Sequence, residues 1–332
     1  MQELKAIDQP CRICCNTNGN SLHYPREMMF GTEEVFEYLE CGYCGCLQIT
    51  EIPEDLGRHY PNEDYYSYTQ PRTKTYSKWI IRARTLRTQH LLGQRNSVGG
   101  ILASLTKRKK TYFEWFRRAG MKTHSRIIDI GCGAGKLLHQ LSREGFSNLQ
   151  GADPFIARNI DYENGISIKK ASLTELKGEF DFVMLNHSYE HMPDPHESLK
   201  ELHRLVANDG IVLLRIPVAD CYARRKYGVH WVSWDPPRHL YLHTVRSIRI
   251  LSEITGFELI DVVYDSNRFQ FSSEERIRRP FKPSAVNAND DQSRKTFTKR
   301  ERTAFGEFAR QLNLLRDGDT AAFYLRPKKN QE

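Results

Sequence analysis

A cluster of glycines and acidic residues is the first feature of this chain whose types and spacing could do chemistry. It consists of residues 127–130, apolar except for Asp129, followed by Gly131, Gly133 and Gly135, with Asp153 further on. Glycine lets the backbone turn sharply and leaves room for a ligand against the main chain, so the pattern predicts a strand, a tight turn and a helix. The alternative is a plain strand-to-helix turn of an α/β protein that binds no ligand there.

The charge of this turn indicates which ligand would suit it. Asp129 would repel a pyrophosphate but attract a cation. Asp153 is placed to accept hydrogen bonds from ribose hydroxyls. S-adenosylmethionine carries a sulfonium, an ammonium and a ribose, so the pattern favours this cofactor over a dinucleotide.

Two cysteine pairs near the start of the chain have the spacing of metal ligands. They are Cys11-x-x-Cys14 and Cys41-x-x-Cys44. Each pair can offer two thiolates to one tetrahedral ion, and we predict a structural Zn²⁺ because four thiolates leave no open position for chemistry. Cys15 and Cys46 are spare thiols that could substitute. A disulfide pair, or buried cysteines without metal, are the alternatives, and the segment is too small for its own core unless a metal holds it folded.

Three histidines are candidates for removing a proton from an acceptor. Transfer of a methyl group from a sulfonium is an in-line displacement, so the chain must hold the acceptor in line, and an acceptor hydroxyl must also lose its proton. His239 is the first candidate and His191 the second. His187 fits a structural place equally well.

The stretch before His239 combines Trp231, Trp234, two prolines and Arg238. Tryptophan faces suit sugar rings, and a rigid Pro-Pro turn could present Arg238 to a substrate. We therefore predict that Trp231, Trp234 and Arg238 bind the acceptor. The alternative is a packing loop whose aromatic side chains fill a gap.

Regular elements must position these residues, and the apolar pattern predicts them in alternating order. Strands are expected at 126–130, 149–152, 166–170, 180–186, 211–217, 257–263 and 321–325, and helices at 136–144, 245–254 and 303–314. The turn Asn208-Asp209-Gly210 is expected to end a helix before the fifth strand. Parallel strands joined by crossover helices bind ligands at their carboxyl ends, so the glycine turn and residues 186–191 are expected to line one crevice.

This order of motifs resembles the class I S-adenosylmethionine-dependent methyltransferases over residues 125–265, with a last strand near 320–326. The resemblance rests on the glycine cluster, Asp153-Pro154, residues 181–186 with Glu190-His191, and Asn208-Asp209-Gly210. It implies a Rossmann-like sheet, parallel with one antiparallel strand, and a place for Glu190-His191 beside the cofactor. The implied cofactor contacts are Asp129, Gly131, Cys132, Gly133, Gly135, Asp153, Pro154, Ser172, Asn186 and His187. At Ser172 the family often has an acidic residue, so a hydroxyl or a backbone amide would have to replace it.

The cysteine segment resembles zinc-ribbon-like modules on methyltransferases that modify sugars and surface polysaccharides. This resemblance implies a sugar, nucleotide-sugar or lipid-linked glycan as the acceptor. The predicted domains are a zinc module at 1–60, a basic helical connector at 61–120 and the methyltransferase domain at 121–332, with a polar, partly disordered insertion at 275–302.

Residues 71–120 hold 13 Lys or Arg and one acidic residue, Glu114, in a chain whose formal net charge is +8. Two helices are expected in this segment, one around residues 79–92 and one over 101–116. Such basic helices could lie on an anionic membrane, clamp a phosphate-bearing substrate or touch RNA, or they could form a solvated connector. A lipid-linked or acidic glycan is favoured over nucleic acid because no base-reading module is evident.

No apolar run is long enough to span a membrane and no signal peptide is evident, so a cytoplasmic protein is expected, with a peripheral place at the inner membrane surface left open. The preferred hypothesis is a methyltransferase that acts on a sugar or glycan. An RNA methyltransferase or zinc-ribbon RNA-binding protein is the second hypothesis, and a non-catalytic scaffold is the third.

Overall fold

The computed structural model describes residues 9–60, 76–106, 112–271 and 297–329. The chain forms two compact units. We name them after their motifs. The cysteine unit comprises Met1–Tyr66, His187–Leu199 and Leu214–Phe323, and the glycine unit comprises Ser67–Asn186, Lys200–Leu213 and Tyr324–Glu332.

Twelve strands and eight helices are found in the described residues. The strands are β1 (Ser21–His23), β2 (Tyr38–Glu40), β3 (Leu47–Ile49), β4 (Arg126–Ile130), β5 (Asn148–Ala152), β6 (Ile160–Asp161), β7 (Ser167–Lys169), β8 (Phe180–Asn186), β9 (Val206–Pro217), β10 (Tyr241–Leu242), β11 (Phe257–Tyr264) and β12 (Thr320–Pro327). The helices are α1 (Lys78–Leu91), α2 (Ser97–Ser104), α3 (Tyr112–Arg118), α4 (Lys136–Arg143), α5 (Pro195–Leu205), α6 (Tyr222–Tyr227), α7 (Val245–Ile254) and α8 (Lys299–Leu314). Several short 3₁₀ turns connect them.

The larger sheet has eight strands in the order β11-β12-β9-β8-β4-β5-β7-β6. β4 pairs in parallel with β5 and with β8, and β5 pairs in parallel with β7. The two central strands β4 and β8 are mostly apolar and buried, as strands covered on both faces must be. The predicted Rossmann-like α/β fold is therefore confirmed. The antiparallel edge strand β6, which pairs with β7, was not predicted.

In the glycine unit, α1 and α2 pack closely because of a glycine. A Cβ at Gly99 would lie 2.2 Å from the carbonyl oxygen of Leu86, so only glycine permits this approach. α1 also contacts the end of α4 through an ion pair between Arg87 and the buried carboxylate of Glu144. The helices α1 and α2 leave apolar side chains exposed, among them Trp79 of α1, which is 81% exposed.

The cysteine unit contains a second, antiparallel sheet in the order β1-β2-β3-β10. β10 comes almost 200 residues after β3 in the chain, and Tyr241 and Leu242 pair with Gln48 and Leu47. The Thr244 hydroxyl donates a hydrogen bond to the carbonyl oxygen of Cys44 (2.6 Å). The cysteine segment thus packs with residues 214–323. The two compact units are groups of residues in contact, and their limits differ from the predicted domain boundaries at 60 and 120, which stay a prediction.

Some element boundaries differ from the sequence-based expectation. Asn208-Asp209-Gly210 was expected to form a turn, but α5 ends at Leu205 and the three residues lie within β9. The single helix expected over 101–116 is replaced by α2 and α3, and residues 107–111 between them lie outside the described part of the chain. Of the polar insertion expected at 275–302, residues 275–296 also lie outside it.

The helix expected at 303–314 begins earlier, because a capping box forms at its start. The Thr298 hydroxyl accepts a hydrogen bond from the amide of Glu301, and the Glu301 carboxylate accepts one from the amide of Thr298. These bonds satisfy backbone amides that a helix start leaves without partners. As a result, residues 299–302 belong to α8 and not to the insertion.

Candidate functional site

The glycine turn after β4 has the backbone that its sequence predicts. Gly131, Gly133 and Gly135 have φ angles of +77°, +54° and +72°, in the left-handed region that favours glycine. The amide of Gly133 donates a hydrogen bond to Asp153 Oδ2 (2.8 Å), and the amide of Phe155 donates one to Asp153 Oδ1 (2.9 Å). Asp153 therefore fixes the turn in place from the end of β5.

Asp129 and Asp153 bring two carboxyl groups into a buried place. They are 4% and 5% exposed. Burial, and then the charge of Asp153, raises the pKa of Asp129 to about 8. Burial also raises the pKa of Asp153, although its two backbone hydrogen bonds oppose this effect. Two carboxyl groups that resist ionisation together form a site where a cation would be favourable.

The remaining predicted cofactor residues of the glycine unit have different surroundings. Cys132 packs against Gly151, where a Cβ would lie 2.6 Å from its Sγ atom. Pro154 is exposed, and Asn186 ends β8. Both the hydroxyl and the amide of Ser172 donate hydrogen bonds to Glu175, at 2.6 and 2.7 Å. The Ser172 hydroxyl and amide, which were expected to replace the family's acidic residue at the cofactor, are thus engaged in a local capping box.

The four cysteines Cys11, Cys14, Cys41 and Cys44 come together, with their Sγ atoms within 4.8 Å of one another. Two of the separations are 3.7 Å (Cys11 to Cys44) and 3.5 Å (Cys14 to Cys41). All four are free thiols, so these distances exclude a disulfide here. Four thiolates at about 2.3 Å from one zinc ion would lie roughly 3.8 Å apart, so the donor set fits Zn²⁺.

The two spare cysteines do not share this place. Cys15 is exposed, and Cys46 is buried with its Sγ atom 3.8 Å from Nδ1 of His243. Backbone amides surround the four clustered sulfurs instead, for example those of Ile13 and Tyr43, each 3.4 Å from a sulfur atom. Such N–H···S contacts stabilise the negative charge of a thiolate.

Three side chains of the cysteine unit form a second cluster, Glu190, His191 and His239. His191 Nδ1 donates a hydrogen bond to the carbonyl oxygen of Arg238 (2.7 Å), and His239 Nδ1 donates one to that of Ser233 (2.8 Å). Burial, followed by the nearby His239, lowers the pKa of His191. In a neutral ring with a proton on Nδ1, the Nε2 lone pair is free, so either histidine could accept a proton there.

His187 lies beside this cluster and has structural partners. Its backbone has a φ angle of +55°, and its amide donates a hydrogen bond to the carbonyl oxygen of Arg215 (2.8 Å). Its Nε2 contacts the Arg215 guanidinium, and its Nδ1 is 3.4 Å from Glu190 Oε1. The cofactor role expected of His187 stays a prediction.

The Trp-rich loop is a packing element in this structure. Trp231, Trp234 and Arg238 are 1%, 2% and 1% exposed. Trp234 packs edge-on against Tyr38, with ring centroids 5.3 Å apart, and its Nε1 donates a hydrogen bond to the carbonyl oxygen of Gly228. Their burial favours the alternative, a packing loop. The contact with a substrate that was expected of these three residues stays a prediction.

Arg238 holds two carboxylates in the interior. Its guanidinium binds Asp235 through two nitrogens, lies 3.6 Å from Glu27 Oε1, and stacks on the ring of Phe30. Glu27 is fully buried and also accepts hydrogen bonds from the amides of residues 29, 30 and 32. Neither Glu27 nor Asp235 was predicted as a site residue, and Glu190 was expected only beside the cofactor, with no role in binding an ion or a proton. Only the position of Glu190 beside His191 could have drawn attention to it.

Comparison with known proteins shows where the likeness of this chain lies. Residues 104–262 match the family described as a methyltransferase domain. A ubiquinone biosynthesis O-methyltransferase of Pseudomonas aeruginosa is 34% identical over 165 residues, which are 44% of this chain and 69% of the relative. The protein of that name from Bordetella avium is 30% identical over 151 residues, covering 40% of this chain and 61% of the relative.

Among solved structures, an S-adenosylmethionine-dependent methyltransferase of Mesorhizobium loti is similar to this chain. It shares 17% sequence identity with a TM-score of 0.37, over 61% of this chain and 91% of the other.

The buried position of Arg238 predicts a structural role for it. Replacing it in Arg238→Ala would leave the carboxylates of Glu27 and Asp235 buried without their cation, and breaking a buried pair in this way costs about 3–5 kcal/mol. We expect a large fall in the unfolding midpoint, measured by circular dichroism in urea. Arg249→Ala, at an exposed position of α7, is the control and should change stability little. An Arg238→Ala protein as stable as the control would contradict the packing role.

Proposed function

Because the chain belongs to the S-adenosylmethionine-dependent methyltransferases, we propose that it transfers a methyl group to a hydroxyl oxygen of a small molecule. The observation that supports the cofactor side is the buried pair Asp129 and Asp153 beside the three left-handed glycines. The hydroxyl acceptor is supported by the relatives, which are named O-methyltransferases.

In this proposal the glycine unit binds the cofactor through its charge and its backbone. Asp129 would face the positive charge of S-adenosylmethionine, and Asp153 would accept hydrogen bonds from the ribose. The cofactor, once bound, supplies the methyl group. The glycines keep side chains away from it, and Asp153 holds the turn through the Gly133 amide.

On the acceptor side, we propose His239 as the group that takes the hydroxyl proton, with His191 second. Each has its Nδ1 proton committed to a carbonyl oxygen, so a proton from an acceptor would go to Nε2. Burial, which lowers the pKa of His191, keeps that ring neutral and able to accept. Arg238 and Asp235 act here as positioning residues only.

The sugar or glycan acceptor expected from the cysteine segment receives no support. The tryptophans that were to contact a sugar ring are buried. The relatives are named for ubiquinone biosynthesis, which concerns those proteins. We therefore propose the acceptor only as a small molecule with a hydroxyl group.

Calorimetric titration with S-adenosylmethionine tests the cofactor site. The carboxyl group of Asp129, with its pKa raised to about 8, is largely protonated at pH 7. A bound cation would lower that pKa, so binding should release protons at pH 7, and affinity should fall as the pH drops below 8. Heats measured in buffers of different ionisation enthalpy give the number of protons released.

In the variant Asp129→Asn we expect affinity to fall about 10- to 100-fold, as for a lost charged hydrogen bond, and proton release to disappear. Asp161→Asn, at an exposed position of the same unit, should bind like the parent protein. Equal affinity and equal proton release in a folded Asp129→Asn protein would rule out this role for Asp129.

We also propose that the four clustered cysteines hold one structural Zn²⁺. The S···S separations of 3.5 and 3.7 Å and the surrounding amides support it. The ion would link residues near position 11 to residues near position 41, and so brace a segment whose strands are only three residues long. Four thiolates would leave the ion no open position for substrate.

Adjacent cysteines offer a matched test of this zinc site. We expect one zinc per chain by elemental mass spectrometry, and loss of most of it in Cys14→Ser. Cys15→Ser changes an exposed thiol one residue away and should keep the metal. Zinc retained by Cys14→Ser, or lost equally by Cys15→Ser, would contradict the assignment.

The basic helix α1 and the apolar helix α2 after it support a further proposal, contact with an anionic membrane surface. Val98, Ile101 and Leu105 follow the i, i+3, i+7 spacing of one helical face and are 55%, 64% and 76% exposed. Lys78, Arg82 and Arg95 are exposed basic residues of the same two-helix segment. In the described part of the chain no helix is long and apolar enough to cross a membrane, so any contact through these helices would be peripheral.

Trp79 provides a fluorescence test of membrane contact, because Trp115, Trp231 and Trp234 are all buried. We expect vesicles that contain phosphatidylglycerol to shift the emission to the blue, and phosphatidylcholine vesicles to leave it unchanged. Each basic residue near an anionic surface contributes about 1 kcal/mol, so Arg82→Glu should weaken the response. Trp79→Phe should abolish it as a control. An equal shift with both lipids, or none with either, would refute an electrostatic membrane contact.

A further inference from the structure

We propose that Glu190, His191 and His239 bind a divalent transition-metal ion, at a site separate from the cysteine cluster. One ligand atom from each side chain lies within 4.8 Å of the others. Glu190 and His191 follow β8, whereas His239 precedes β10, yet all three belong to the cysteine unit. Two imidazoles and a carboxylate form a donor set that binds zinc or iron and leaves coordination positions open.

The two imidazoles are oriented as metal ligands are. A carbonyl oxygen can only accept a hydrogen bond, so His191 and His239 must each carry a proton on Nδ1, which leaves the Nε2 lone pair free. A hydrogen bond of this kind from the second ring nitrogen fixes the tautomer and the ring orientation of histidines that bind metals. The two rings are adjacent, with centroids 4.8 Å apart, and both have this arrangement.

Glu190 supplies the negative charge. Its side chain is fully buried, and neither carboxylate oxygen has a hydrogen-bond partner of good geometry. Two histidine nitrogens lie near Oε1, His187 Nδ1 at 3.4 Å and His239 Nε2 at 3.9 Å. A buried carboxylate whose oxygens lack hydrogen-bond partners is costly, and a bound cation would relieve that cost.

The wider group of charges around the cluster also favours a dication. Asp235, whose Oδ2 is 3.8 Å from His239 Nε2, already binds Arg238, and Arg238 also pairs with Glu27. Arg238 therefore pairs with two carboxyl groups, and Glu190, which lies 3.9 Å from His239 Nε2, is a third carboxyl group without a guanidinium among the described residues. Counted at their formal charges, the three carboxylates exceed the single guanidinium by two, and one divalent ion would balance this difference.

The ligand atoms of His239 and Glu190 need only a small shift to hold such an ion. Ligand atoms about 2.1 Å from one metal lie roughly 3 to 3.5 Å apart, compared with 3.9 Å between His239 Nε2 and Glu190 Oε1. A displacement of the Glu190 carboxylate by about 0.4 to 0.9 Å would close this difference. The hydrogen bonds from Nδ1 would remain in place.

The chemical role of the ion rests on the proposed function, whereas the binding of the ion is independent of that function. With the ion bound, the Nε2 atoms of His191 and His239 hold metal and not a proton. An acceptor hydroxyl at an open coordination position would become more acidic through the charge of the metal, and its proton would pass to water. The ion would thereby take over the activation of the acceptor that was assigned to His239.

Cobalt titration of the zinc-loaded, full-length protein tests the site. We expect one Co²⁺ per chain to bind in addition to the zinc, with weak visible bands and no sulfur-to-cobalt charge-transfer band. Removing one ligand in Glu190→Gln or in His239→Ala should weaken this binding at least about tenfold. His124→Ala and Glu253→Gln change exposed residues of the same types and should bind cobalt like the parent protein.

The same preparations are titrated with S-adenosylmethionine, so that the two proposals fail separately. Absence of Co²⁺ binding in a folded protein that binds the cofactor would overturn the metal site alone. A sulfur-to-cobalt band, or cobalt affinity unchanged in both ligand variants, would overturn it as well. Thermal unfolding curves that match the parent protein show that the variants are folded.

Discussion

A carboxylate withdrawn from water needs a positive charge beside it, and this constraint governs both compact units of the protein. In the glycine unit, the buried pair Asp129 and Asp153 raises the pKa of Asp129 to about 8. In the cysteine unit, Arg238 binds Asp235 and lies beside Glu27, and the buried carboxylate oxygens of Glu190 have no hydrogen-bond partner among the described residues. Arg238 compensates the carboxylates of a packing loop. In the part of the chain that the structure describes, the carboxyl groups of Asp129 and Glu190 have no such cation, so Asp129 favours a cationic cofactor and Glu190 favours a metal ion.

The pairing of β10 with β3 explains why the cysteine segment is not an independent module. Strands of two or three residues bury too little surface to fold alone. The backbone bonds of Tyr241 and Leu242, with the bond from Thr244 to the Cys44 carbonyl, connect the segment to residues almost 200 positions away. A zinc ion would then add to a packed unit, and need not be the sole source of its stability.

The sequence predicted the parts that depend on local patterns. Apolar runs located β4, β8 and β11, and the glycines located the turn, because only glycine adopts its left-handed backbone readily. The pairing of β10 with β3 could not be predicted, since two residues carry no pattern. Burial of Trp231, Trp234 and Arg238 was missed for a related reason. Aromatic and basic side chains are equally suited to a ligand and to an interior with carboxylates, and only tertiary contacts distinguish these uses.

The chemistry of the ligands explains how the cysteine unit could bind two different metal ions selectively, one at each site. Thiolates select zinc strongly, whereas imidazole and carboxylate groups bind a wider range of divalent ions. Four thiolates close the coordination sphere at the cysteine cluster, which suits a structural ion. Glu190, His191 and His239 provide only three donors, so an ion there would keep an open position. The number of donors, more than the identity of the metal, thus separates a site that stabilises the fold from one that could activate an acceptor.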